Sequence, residues 1–137
     1  MYLLDTCICI DFLRGRQPRA YELLQKSDPK LFKIPAVVAA ELAVGAEKST
    51  SPTKTRWTVE QFLAPFEVVP FDESCALVYG EIRAQLEREG RAIGQNDLLI
   101  AATALTYGAV LVTNNVDEFK RVPGLSLESW QEVDLPE

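Results

Sequence analysis

The sequence predicts an α/β domain: a mostly parallel sheet covered by helices on both faces. Short, nearly continuous apolar runs (Tyr2-Leu3-Leu4, Val68-Val69, Ala109 to Val112) alternate with longer stretches of helical pattern. The runs lack the in–out alternation of a strand with one wet face, so both faces of the sheet are expected to be buried. The chain has 137 residues, 47% of them hydrophobic and 25% charged. That is the size of one domain with enough apolar material for a core, and residues 1–137 are expected to form a single unit.

Tyr2-Leu3-Leu4 reads as a buried strand, and Asp5-Thr6 caps a helix carrying Ile8, Ile10, Phe12 and Leu13 that stops near Gly15. Pro18 suits the first turn of a second helix through Tyr21, Leu23 and Leu24. An extended piece at Leu31 to Ile34 leads to Pro35, which opens a third helix across Val37 to Glu47. Ser49 to Thr55, rich in Ser, Thr and Pro, reads as a connection, and a fourth helix covers Trp57 to Leu63. Glu67-Val68-Val69-Pro70 is the next buried strand. Asp72 caps a long amphipathic helix with Ala76, Leu77, Tyr79, Ile82 and Leu86 on one face. After a loop from Gly90 to Gly94, Asn96 is expected to cap an apolar helix from Leu98 to Leu105, closed at Gly108. Ala109 to Val112 is a strand, and Leu125 to Leu127 is expected at the sheet edge.

Composition excludes several chemistries. There is no histidine, which removes Ser-His-Asp and Cys-His catalysis and imidazole-rich zinc sites. Cys7, Cys9 and Cys75 are odd in number and lack metal-site spacing, so they read as reduced thiols of a cytosolic protein. No secretory signal is visible, since Asp5 interrupts the apolar start, and every apolar run is cut well before the roughly 20 residues of a spanning helix. The net charge of −6 argues, taken alone, against a phosphate-binding surface.

Most acids, such as Glu81, Glu87 and Glu89 among Arg83 and Arg88, read as solvated helix faces. Three do not. Asp5 follows Leu3-Leu4 at the carboxyl end of a strand, the edge of a parallel sheet where ligands bind, although a plain helix cap also accounts for it. Glu41 lies within Ala36-Val37-Val38-Ala39-Ala40-Glu41-Leu42-Ala43-Val44-Gly45, a helix expected to be packed all round. A desolvated carboxylate there needs a cation: a buried arginine, or something approaching along the small residues. Asp97 opens another core-type helix, where the helix dipole is a sufficient structural reason for it. Together the three suggest one inward-facing site, which cannot stay fully ionised without a counter-charge. Hard oxygen donors favour Mg²⁺ or Mn²⁺ and suit phosphodiester hydrolysis.

Four ordered motifs carry a resemblance: Tyr2-Leu3-Leu4-Asp5-Thr6, Ala40-Glu41-Leu42-Ala43-Val44-Gly45, Gly94-Gln95-Asn96-Asp97-Leu98-Leu99-Ile100-Ala101-Ala102-Thr103-Ala104, and Leu111-Val112-Thr113-Asn114-Asn115 with Phe119. Together they resemble the PIN domain, and within it the VapC ribonuclease toxins of bacterial toxin–antitoxin pairs. The resemblance runs from the first residues to about Pro123. It implies a PIN-like three-layer α/β/α fold and a Mg²⁺- or Mn²⁺-dependent endoribonuclease acting on structured RNA, tRNA or rRNA. It further implies a cytoplasmic homodimer held inactive by a VapB-type antitoxin protein, with no membrane partner. Carried over by motif, Asp5 and Asp97 hold the metal, Glu41 is a ligand or orients the attacking water, and Thr6 supports Asp5, with Thr113 and Asn115 beside them. For the fourth acid, Glu118 is favoured over Asp117. The family usually has asparagine where this chain has Cys7, which removes an amide expected to tie the first strand to the Thr113 loop.

Local charge softens the objection to RNA. Residues 1–33 hold six basic side chains (Arg14, Arg16, Arg19, Lys26, Lys30, Lys33) against Asp5, Asp11, Glu22 and Asp28, a surplus of two, leaving −8 on the rest. Arg14 and Arg16 are the candidate phosphate contacts, with solvated helix-end charge as the alternative. An acidic cleft would suit an arginine-bearing antitoxin segment. Two competing functions are a phosphotransferase with Asp5 as nucleophile, which wants a second acid where Cys7 stands, and a PIN-fold protein-binding module without catalysis.

Overall fold

The computed structural model describes residues 1–130. Its strands are β1 (Tyr2–Leu4), β2 (Phe32–Pro35), β3 (Glu67–Val69), β4 (Val110–Val112) and β5 (Ser126–Glu128). They form one sheet in the order β3-β2-β1-β4-β5, parallel at every pairing. The mostly parallel sheet expected from sequence is therefore wholly parallel among the described residues. Between the strands lie α1 (Thr6–Leu13), α2 (Pro18–Lys26), α3 (Ala36–Glu47), α4 (Pro52–Leu63), α5 (Glu73–Arg88), α6 (Gln95–Thr106) and α7 (Val116–Phe119), with a 3₁₀ turn at Pro29–Leu31.

Consecutive strand residues point to opposite faces. Leu3 and Leu4 are both fully buried, as are Leu111 and Val112, so helices cover the sheet on both sides. This is the three-layer α/β/α arrangement. Fully burying side chains of this size contributes about 1.5–3 kcal/mol each. Chain order reverses at β1, which pairs with β2 on one side and β4 on the other, Tyr2 lying opposite both Phe32 and Val110. The crevice beyond the carboxyl ends of strands flanking such a reversal is where open α/β sheets bind ligands.

Several local expectations change. The extended piece begins at Phe32 because the Asp28 side chain accepts the Lys30 N–H at 3.0 Å and turns Pro29–Leu31 into a 3₁₀ helix. Helix α4 starts at Pro52, which occupies its first turn, rather than at Trp57. β3 is an edge strand, and Val68 is exposed instead of buried. On α5 the inward face is Cys75, Val78, Tyr79, Ile82 and Leu86. Ala76 and Leu77 lie outside it, Leu77 about 200° around the helix from Cys75 at ~100° per residue. Asn96 is not a cap: α6 begins at Gln95 with Gly94 as N-cap, whose carbonyl accepts the Leu98 N–H at 2.9 Å. At the other end Gly108 takes φ +62°, a left-handed conformation that glycine adopts freely, and the Ala109 N–H returns to Ala104 O.

Helix α3 is not packed all round. Val38, Leu42 and Ala46 are buried, whereas Ala40, Ala43, Val44 and Gly45 face outward. Apolar composition on every side of a helix did not enforce burial on every side. Cys7, Cys9 and Cys75 are free thiols, as the reading of reduced cysteines requires. Among the described residues no helix is long and apolar enough to cross a membrane.

Candidate active site

The end of β1 and the start of α1 form one corner. Asp5 N–H donates to Val112 O at 3.0 Å, extending the β1–β4 ladder by one residue, and the Asp5 side chain then caps α1. Its carboxylate is 3% exposed. Oδ1 accepts the Thr6 N–H at 2.7 Å, and Oδ2 accepts the Thr113 hydroxyl at 2.6 Å and the Cys7 thiol at 3.1 Å. The sequence left open whether Asp5 is a cap or a site residue; it is a cap whose second oxygen faces the loop after β4. Burial raises its pKa above the usual carboxylate range. The three donors pull against that rise, and the nearby Glu41 charge adds to it.

Thr113 is fully buried, and its oxygen accepts the Asn115 N–H at 2.9 Å, so the turn after β4 is fixed from within. Cys7 sits between this turn and Asp5, 3.6 Å from Thr113 Oγ1. The tie expected to be lost with an asparagine is made here by the thiol. Burial, then the Asp5 charge, pushes that thiol up to about 11, so it stays protonated and donating at neutral pH.

Glu41 is half-buried on α3 and accepts the Thr6 hydroxyl at 2.7 Å. The Thr6 support expected for Asp5 is thus split: its amide goes to Asp5, its hydroxyl to Glu41. Among the described residues Glu41 makes no ion pair, so the buried-arginine explanation falls away. Full desolvation does not hold either, because the neighbouring surface of α3 is open.

Asp97 lies in the first turn of α6 and Glu118 in α7, and their carboxyl groups share a hydrogen bond. Burial, the Glu118 hydrogen bond and the charges of Glu118, Asp5 and Glu41 push Asp97 up to about 8. Glu118 moves the other way, lowered by that hydrogen bond, the Gly94 amide and Asn115. Two like groups this close hold one proton between them, and it resides on Asp97. Glu118 Oε1 accepts the Gly94 N–H at 3.1 Å, and Oε2 accepts Asn115 Nδ2 at 2.5 Å. A Cβ at Gly94 would stand 3.9 Å from both Glu118 Oε1 and Asp97 Oδ2. Asp117 points away, fully exposed and 3.8 Å from Lys120. Geometry therefore brings Asp5, Glu41, Asp97 and Glu118 to one end of the sheet and leaves Asp117 out.

The two arginines part company. Arg16 pairs with Asp11 at 3.4 Å, and Asp11 also accepts Asn114 Nδ2 at 2.9 Å, so this arginine belongs to a network tying α1 to the turn after β4. Arg14 is exposed at the end of α1 and lines a cleft of about 430 Å³ among α1, α3 and α4, with Lys54, Thr55 and Thr58 opposite. The cleft meets the acidic cluster at Glu41.

Sequence reasoning missed three contributors: the Cys7 thiol as donor, the Gly94 amide, and the Asp11–Asn114 tie. Only Asp11 carried a readable signal, an acid in a helix otherwise apolar from Cys7 to Leu13. The donor set is all-oxygen and crowded, which fits a hard divalent cation. Among the described residues, no three His, Cys, Asp or Glu side chains already form a group that would hold one as they stand.

Comparison with known proteins shows the family. The PIN domain model matches residues 2–125. Ribonuclease VapC2 of Rickettsia felis is 42% identical over 134 residues, covering 95% of this chain and 98% of the relative. The tRNA(fMet)-specific endonuclease VapC of Salmonella typhimurium is 36% identical, covering 94% and 97%. The crystal structure of VapBC2 from Rickettsia felis bound to a promoter DNA fragment aligns with a TM-score of 0.86 at 40% identity, over 95% of this chain and 98% of its counterpart. A buried aspartate at the β1 end, with acids from α3, α6 and α7 turned toward it, stands on a chain that belongs to the PIN-domain family and, within it, to the VapC ribonucleases.

Proposed function

We propose that this protein is a divalent-metal-dependent endoribonuclease toxin that hydrolyses phosphodiester bonds in structured RNA and is neutralised by a cognate antitoxin. One observation carries the reading: carboxyl groups from the end of β1 and from α3, α6 and α7 are turned to the switch point of a parallel sheet, near enough that the charges of the other three help hold Asp97 protonated to about pH 8. Asp5, Asp97 and Glu41 are the residues that would hold Mg²⁺ or Mn²⁺, and Glu118 completes the acidic set. When bound, the ion supplies an activated water and neutralises charge developing on the phosphate.

The chain's own residues do the positioning. Thr113, Cys7 and the Thr6 amide fix Asp5, the Thr6 hydroxyl fixes Glu41, and Gly94 with Asn115 fixes Glu118. Arg14 lines the cleft that opens beside Glu41, which supports its assignment as a contact for an RNA phosphate. tRNA is the substrate to test first, because the Salmonella relative is named for cleaving one. A VapB-type antitoxin is the partner this reading assigns, in keeping with the VapBC complex among its structural neighbours. A homodimer acting in the cytoplasm completes the proposal.

The test is incubation of purified protein with total tRNA and rRNA in Mg²⁺, in Mn²⁺ and in chelator. Discrete fragments that need the ion and vanish in Asp5→Ala or Asp97→Ala are the expected result. Intact RNA under every condition, with the fold preserved, overturns it in favour of a binding module.

A further inference from the structure

The two oxygens of Asp5 are not equivalent. Oδ1 accepts one hydrogen bond, from the Thr6 amide, whereas Oδ2 accepts two, from the Thr113 hydroxyl and the Cys7 thiol. A carboxylate oxygen has about two lone-pair sites. Oδ2 is therefore full and Oδ1 keeps one site open. Without the thiol, Oδ2 would keep one lone-pair site open just as Oδ1 does. Cys7 approaches from α1, Thr113 from the turn after β4, and the two donors also touch each other at 3.6 Å. They form a clamp with one jaw on each element, closed on a side chain that is 3% exposed.

We propose that Cys7 is a positioning residue: its S–H, acting with the Thr113 hydroxyl, occupies Asp5 Oδ2 and leaves Oδ1 as the oxygen offered to a divalent ion. The proposal rests on the ion-binding reading above and assigns the thiol a part in it. Were Cys7 only a filler of space, the nature of its terminal atom would not matter and an apolar group of similar size would serve.

The experiment is Mn²⁺ titration of the full chain followed by electron paramagnetic resonance, on wild type, Asp5→Asn, Cys7→Ala, Cys7→Val and Cys7→Ser, with thermal unfolding as the control for folding. Groups that orient a metal ligand typically set affinity, so Cys7→Ala and Cys7→Val are expected to weaken Mn²⁺ binding about tenfold. Cys7→Ser, which restores a hydroxyl donor, is expected to stay within about threefold of wild type. Cys7→Ala or Cys7→Val binding as wild type does, or Cys7→Ser as weak as Cys7→Ala, overturns the proposal while leaving the ion site standing. Wild type showing no Mn²⁺ binding that Asp5→Asn removes overturns the ion-binding reading, and this proposal with it.

Discussion

Asp97 and Glu118, on helices α6 and α7, share a hydrogen bond between carboxyl groups, and the proton resides on Asp97. An acid pair of this kind stores repulsion that either a proton or a cation relieves.

Stability of the metal-free protein should therefore fall as pH rises. In the unfolded chain Asp97 ionises near 3.8, whereas in the fold it keeps its proton to about 8, with Glu118, Asp5 and Glu41 facing it. Between those values the native state binds a proton that the unfolded state has released, so stability is highest below about pH 4 and declines toward pH 8. Asp5, also raised, acts in the same direction. Melting temperatures from pH 4.5 to 8.5 in chelator should show the decline, and Asp97→Asn or added Mg²⁺ should flatten it. A metal-free melting temperature rising toward pH 8 would refute this.

The two neighbouring acids of α7 should behave oppositely. Glu118→Gln should cut RNA cleavage by at least about tenfold, the loss of some 1.4 kcal/mol in the transition state. Asp117→Asn should leave the rate within about twofold, since an exposed pair with Lys120 contributes little. Single-turnover cleavage of a tRNA pool decides between them.

The arginines should separate in a salt series. Arg14→Glu should lower cleavage and flatten its dependence on ionic strength, because a phosphate contact releases counterions. Arg16→Glu should act more weakly on RNA and instead loosen α1, since Arg16 is engaged with Asp11. Equal effects of the two changes would count against a phosphate contact specific to Arg14.

Phe119 anchors α7, the short helix that carries Glu118. Phe119 is fully buried and the largest side chain in the core with no exposure. Phe119→Ala should cost about 3–5 kcal/mol of stability, read from urea unfolding. Phe119→Leu should cost less and retain activity.

How much was legible depended on what each residue's neighbours in sequence could reveal. The strands were readable because Leu3-Leu4 and Leu111-Val112 must hide on both faces, and α2 because Pro18 marks its first turn. The edge character of β3 was not, since Val68 looks apolar whichever strand it borders. Helix α3 misled for a related reason: its inward and outward faces are equally apolar, so periodicity holds no signal. Asp5, Glu41 and Asp97 were visible as acids attached to core segments. The Cys7 thiol and the Gly94 amide were not visible as contributors, because Cys7 and Thr113 lie 106 positions apart in the chain, and Gly94 and Glu118 lie 24 apart. Glu118 was favoured over Asp117 by the resemblance, and its contacts with Gly94 and Asn115, against the full exposure of Asp117, are what the sequence did not show.

The central strand pair joins residues 2–4 to residues 110–112, and Asp5 meets Thr113, 108 positions further along the chain. During translation, then, Asp5 waits until Val110 to Thr113 have been made. A nascent chain stalled before Val110 lacks the neighbour that seals its amino-terminal strand, as well as the turn that clamps its carboxylate. The order of synthesis thus delays the clamp: the carboxylate at the end of β1 gains its Thr113 donor only after residues 6–112 have been joined behind it.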